Sequence, residues 1–177
     1  MIQAVVPVVC MFAISTPMIA QNDSQFFLFD ARGADGRTRC YVSPLSHEFV
    51  FNAGLRPEAI VGELVQAGDS TKMIENPLFR ELLYKVIDAN LSSLHPPDQK
   101  LPGDAVLLDG RSSRGKGPVA PEDVIGMVEV SEQGDTVFIP SGTHRFHTSL
   151  GLMKLDPILY QAVVNHLMQV YGGDRED

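Results

Sequence analysis

Cysteine is scarce in this chain: of 177 residues, two are Cys, namely Cys10 and Cys40. That excludes a disulfide-stapled scaffold and a four-cysteine zinc site. Positive charge is also short, with 14 Lys and Arg against 22 Asp and Glu, a formal net charge of −8 and a pI near 5.0. Binding to nucleic acid or to anionic membrane is driven by neutralising cations, so general affinity for either is excluded and any such partner has to be met locally. There is no internal repeat, heptad run or low-complexity tract, which leaves out solenoids and coiled coils. No G-x-S-x-G is present either, so nothing marks a nucleophile elbow.

What the chain does have is length and apolar content. At 177 residues and 44% apolar, it fits one domain of the usual ~100 to 200 residues with a real core. The expected domain spans residues 24–173, followed by a charged tail, Asp174 to Asp177. Before it, Met1 to Ala20 is apolar and gives way to the polar run Gln21 to Gln25. This reads as a secretory signal peptide with Val5 to Ile14 as its apolar region and cleavage after Ala20. The absence of Lys or Arg before Arg32, and Met18 where a small side chain is preferred, depart from that pattern. A strand of the fold and a single-span anchor are the alternatives, the latter opposed by Pro7 and Pro17. Exported localisation, periplasmic or extracellular, follows if residues 1–20 act as a signal, cytoplasmic localisation otherwise; membrane contact is expected only through residues 1–20 if they are retained.

Along the chain, Phe26 to Phe29 and Thr38 to Val42 flank Gly33-Ala34-Asp35-Gly36 as a hairpin that Pro44 ends. Phe49 to Phe51 reads as a further strand. Pro57-Glu58 opens a segment with Ile60, Val61, Leu64 and Val65 at helical spacing, closed by Gly68-Asp69. The clearest helix runs from Asn76, a cap followed by Pro77, to Leu94. Val106 to Leu108 and Val124-Ile125 are short buried strands. Met127 to Val130 and Thr136 to Ile139 form a second hairpin around Glu132 to Asp135. Pro140 to Ser149 is a loop, and Asp156-Pro157 starts a helix that ends at Gly172-Gly173. The fold class expected is α+β: an antiparallel sheet of about five or six strands, one face covered by the two main helices, Asn76 to Leu94 and Asp156 to Tyr171.

The stretch from Leu101 to Met127 places a cluster of cations, Arg111, Arg114 and Lys116, among Gly110, Gly115 and Gly117. Gly110 to Lys116 spells most of a nucleotide-binding phosphate loop, yet Gly117 stands where a Ser or Thr would hold magnesium and no helix follows. That excludes an ATPase or GTPase. What remains is a flexible cationic loop able to take a phosphate, sulfate or carboxylate through its amides and its arginines. Its plainer reading is a solvated hairpin tip.

His144 and His147, three residues apart in Thr143 to Thr148, are the second candidate, as a metal pair or as acid and base. A third ligand has to come through the fold, from His47-Glu48, His95 or His166; without one, no metal is assigned. The plainer reading puts one histidine on the surface and packs the other beside Phe146. Ser141, close to His144, reads as a turn residue.

Ser113-Arg114, Gly117-Pro118-Val119 and Glu122-Asp123-Val124-Ile125-Gly126 together resemble the C-terminal box of membrane-bound type I signal peptidases, and Leu101-Pro102-Gly103-Asp104 is similar to another of their segments. The resemblance implies a serine nucleophile just past an N-terminal span and a lysine base. Ser15 is the position this chain offers for the first, and Lys85 or Lys100 for the second. The spacing before Ser113 differs from the family's, and the residues after Gly126 have no counterpart there.

The leading expectation is a small exported or envelope-associated binding or accessory protein. It would contact a small anionic ligand or a partner protein through Arg111, Arg114 and Lys116, its acidic body and basic loop orienting that partner. The alternative is a hydrolase using His144 and His147, with or without metal, and the peptidase-like enzyme is a third reading. No cofactor is indicated.

Overall fold

The computed structural model describes residues 25–33, 35–94, 105–111, 119–130 and 135–172. The signal-like segment 1–20, Arg114, Lys116, His95, Lys100 and the tail lie outside them. The described chain is α+β with purely antiparallel pairing. Instead of one sheet of five or six strands, it has a four-stranded, a three-stranded and a two-stranded sheet among the described residues. Contacts group the chain into two compact units, one up to Phe79 and one from Arg80 on.

In the first unit, β1 (Phe27–Arg32) and β2 (Thr38–Ser43) form the expected hairpin, with Phe29 opposite Tyr41. Two expectations fail in the next stretch. Phe49 to Phe51 is not a strand but part of helix α1 (His47–Ala53), because Ser46 caps it: the Phe49 amide donates to Ser46 Oγ at 3.2 Å. A satisfied N-cap outweighs the weak β preference of two aromatics. The segment from Pro57, expected to be helical, makes one tight turn at Pro57–Ala59 and then becomes β3 (Gly62–Ala67). Gly68-Asp69 is a two-residue hairpin turn, Gly68 taking φ 64°, and it reverses the chain into β4 (Ser70–Glu75), with Ala67 paired to Ser70. A glycine-acid pair ends a helix or turns a hairpin equally well, and here the cross-strand ladder decides. The sheet order is β1-β2-β3-β4.

Asn76 joins this unit to the next helix. Its Nδ2 donates to the carbonyls of Pro57 and Ile60, both at 2.7 Å, while its Oδ1 accepts the Leu78 amide at 3.1 Å. Helix α2 (Pro77–Ala89) therefore starts where the cap and Pro77 predict. It stops at Asn90, whose side chain donates to the Val86 carbonyl at 2.7 Å, and the short α3 (Leu91–Leu94) follows.

The second unit holds the three-stranded sheet β5-β6-β7: β5 (Ala105–Leu108), β6 (Val124–Val130) and β7 (Thr136–Pro140). Val128 and Phe138, cross-strand partners, are buried on one face, and Val106, Met127 and Ile139 form an exposed row on the other, while Ile125 is buried at the register shift between β5 and β6. Gly126 has to be glycine, since a Cβ there would meet the Phe138 ring and the Ile139 carbonyl. The loop expected at Pro140 to Ser149 includes β8 (His147–Thr148), which pairs with β9 (Gly151–Leu152) through Gly151 at φ 99°. Helix α4 (Pro157–Gly172) runs as expected from its Asp156 cap, where the Ile158 amide donates to Oδ1 at 2.8 Å.

Candidate functional site

The strand β5 ends in a register shift between Leu107 and Leu108. The residue left unpaired by that shift is Ile125 on β6, and just past it the chain leaves β5 through Asp109, Gly110 and Arg111. The Asp109 amide donates to the Asp123 carbonyl at 2.8 Å and the Gly110 amide to the Lys154 carbonyl at 2.7 Å, so the chain is pinned on two sides as it leaves the sheet.

At that point four segments meet in a buried ionic knot. Arg111 Nη2 pairs with Asp109 Oδ2 at 2.9 Å and with Asp123 Oδ1 at 3.2 Å. The same nitrogen donates to the Arg145 carbonyl at 2.6 Å, while Nη1 donates to Thr148 Oγ1 at 3.1 Å and to the Gly151 carbonyl at 2.9 Å. Asp109 Oδ1 accepts the amides of Arg111 and Lys154 at 3.0 and 2.8 Å. His144 closes the arrangement, its Nε2 3.4 Å from Asp109 Oδ2 and its ring edge-on to Phe146 at 5.6 Å. Arg80, on α2, braces the loop from behind: its guanidinium donates to the His144 carbonyl at 3.2 and 3.3 Å and lies 4.6 Å over the Phe146 ring.

The electrostatics follow from that geometry. Burial alone pushes the Asp109 carboxyl up, but the His144 hydrogen bond, the amides of Arg111 and Lys154 and the Arg111 charge outweigh it and hold the group below its usual 3.8. His147, on β8, is pushed below its usual 6.5 by burial and then by the charge of Arg111.

The predicted site residues end up in different settings. The Arg111 side chain is 4% exposed and committed to two of the protein's own carboxylates; it is a strut at the base of the basic segment, with Arg114 and Lys116 outside the described residues. His144 is 0% exposed, so its ring has no face to offer a substrate, although the His–Asp contact has the look of an oriented base. His147 is half-buried three residues further on. His47 belongs to the first unit, where its Nε2 meets the Leu28 carbonyl at 2.9 Å. Ser141 Oγ lies 2.8 Å from Thr143 Oγ1 and accepts the Thr143 amide, as a turn residue does. Among the described residues, no group of three or more His, Cys, Asp and Glu is placed to hold a metal ion.

Neither aspartate of the knot is among the site residues expected from the sequence, where Asp123 enters only through the peptidase-like box. The signal for them was there: opposite charges stand at the two stems of a Gly-rich loop, Asp109 and Arg111 on one side and Asp123 on the other. Comparison with protein-family models, with curated proteins and with solved structures finds no match to this chain.

Proposed function

We propose that the protein is a small binding or accessory module that meets an anionic group, on a small ligand or on a partner protein, through the basic segment between Arg111 and Val119. One observation carries the reading. Arg111 ties the outgoing stem of that segment to Asp123 on its returning stem, and the Asp109 amide meets the Asp123 carbonyl. A loop with fixed ends loses less conformational freedom on binding than a free one, so its cations act from a prepared base. Arg114 and Lys116 are then the ligand-contacting residues and Arg111 positions them. The His144 ring, closed off from solvent, supports no hydrolytic role. An exported setting, with residues 1–20 as signal, belongs to the same proposal, and exported protein would have Gln21 as its first residue by intact mass.

Immobilised heparin, a dense array of sulfate and carboxylate groups, is a suitable probe, because a chain of net charge −8 has little reason to stay on it otherwise. Wild-type protein is expected to be retained at low salt and released by inorganic phosphate, and the R114A/K116A double variant to flow through. Equal behaviour of the two proteins overturns the reading.

A further inference from the structure

Helix α4 departs from what a surface helix ordinarily carries. Its inner face, Leu159, Val163, Leu167 and Tyr171, is buried, and the opposite face of such a helix normally bears charge. Residues 157–172 contain no Asp, Glu, Lys or Arg, in a chain of 177 residues with 14 basic and 22 acidic ones. Helix α2, by contrast, exposes Glu81, Lys85 and Asp88. The outer stripe of α4 reads Ile158, Gln161, Asn165, Met168, with Ile158 54% and Met168 44% exposed.

That stripe is its own complement. Its spacing is three, four, three, as along the seam of a coiled coil, and its chemistry is apolar, amide, amide, apolar. Turned end for end about the level of Val163, it places Ile158 against Met168 and Gln161 against Asn165. Within one helix Gln161 Nε2 donates to Asn165 Oδ1 at 2.9 Å. The Gln161 carbonyl oxygen and the Asn165 amide nitrogen are thereby left as an acceptor and a donor that a turned copy matches twice.

We infer that two copies of this chain associate through α4, antiparallel, about a two-fold axis near Val163. Charge argues for a second copy as the occupant. Two bodies of net charge −8 repel, and approach is least opposed over a face with no carboxylate. Ile158, Gln161 and Asn165 of the stripe also line an open groove of about 870 Å³ shared with α2 and α3, whose lining includes Lys85 and no acidic residue. Val86, Ala89 and Ala162 give that groove an apolar floor for side chains of the partner helix. Depletion of charge with exposed Met and Ile is the composition of an interface centre. A 16-residue helix is ~24 Å long, too short to bury by itself the ~800 Å² per partner of a standard interface. The association is therefore weak and is populated at high protein concentration.

Sedimentation equilibrium of the full chain, from low micromolar to several hundred micromolar, tests this with two charge-reversed stripes. Wild type is expected to pass from monomer to dimer. Q161E/N165E and Q161K/N165K are each expected to stay monomeric, and an equimolar mixture of the two to regain a dimer. An uncharged I158Q/M168Q variant should weaken the wild-type association at least ten-fold, which guards against misfolding of the charged forms. Wild type that remains monomeric throughout overturns the inference and leaves the face to a different partner. A dimer that persists in both charged variants also overturns it, because the contact then lies elsewhere, for example in the apolar residues 1–20, whose association the mixing experiment would not affect.

Discussion

The ionic knot and the outer face of α4 place charge in opposite ways. At the knot, two carboxylates and a guanidinium sit out of water; on α4, a solvent-facing stripe carries no charge at all. Burying charge is costly unless every partner is present, and the knot meets that condition for Asp109 with a guanidinium, two amides and a histidine. What it gains is connection, since one side chain joins segments at residues 109, 123, 145, 148 and 151. An uncharged outer face does the reverse: it ties nothing together inside the fold and leaves a surface that can meet another molecule without desolvating ions. The difference teaches that the charge at the knot locks the interior, while recognition by α4 would depend on the absence of charge.

The sharpest way to break the comparison is Arg111→Leu. It leaves Asp109 and Asp123 facing each other without their cation, and removing one partner of a buried pair costs about 3–5 kcal/mol. Urea unfolding followed by circular dichroism should show the loss, and a drop under about 1 kcal/mol would mean that the knot is not closed to water. Gly151→Ala is milder. At φ 99° a side chain is strained, and the Gly151 carbonyl is one of the acceptors of Arg111, so a loss of about 1–3 kcal/mol is expected in the same assay.

How much of this was legible in the sequence depends on the range of the interaction. Caps and prolines act locally, and α2 and α4 begin where Asn76-Pro77 and Asp156-Pro157 put them. Tight turns between apolar runs gave β1-β2 and β6-β7. Phe49 to Phe51 and the stretch after Pro57 were misread because composition there favours either state, and Ser46 in one case and a partner strand in the other decided it. The knot was the least visible part. Arg111 looks like a surface cation along the chain, and it becomes an interior strut only when Asp123, Arg145 and Gly151 arrive from more distant positions.

Acid should act on the knot and its neighbour in two stages. The unfolded chain binds a proton at His147 near 6.5, while the folded chain resists it. Stability from that site is thus complete above 6.5 and falls as the pH drops toward the lower folded value. Asp109 behaves in the same sense further down: its stabilisation is complete above 3.8 and is lost as the pH falls through the depressed folded value. Urea midpoints measured across pH should show both declines. In His147→Gln the first should vanish and the second remain, whereas an unchanged first decline would assign it to another group.

The smallest effect on stability is expected where a new charge is added on the outside. Gln161→Lys puts a cation on an exposed position of α4, where a substitution away from the core usually changes stability by less than about 0.5 kcal/mol. Lysine is also a good helix former, so the helix itself has no reason to resist. Thermal melting of dilute protein, below the range where copies would associate, isolates this term from any effect on assembly. A melting temperature within about a degree of wild type would confirm that α4 lacks charge for a reason other than folding. A large drop would instead mean that the stripe packs against the protein's own chain, and the contrast between a locked interior and an uncharged recognition face would no longer hold.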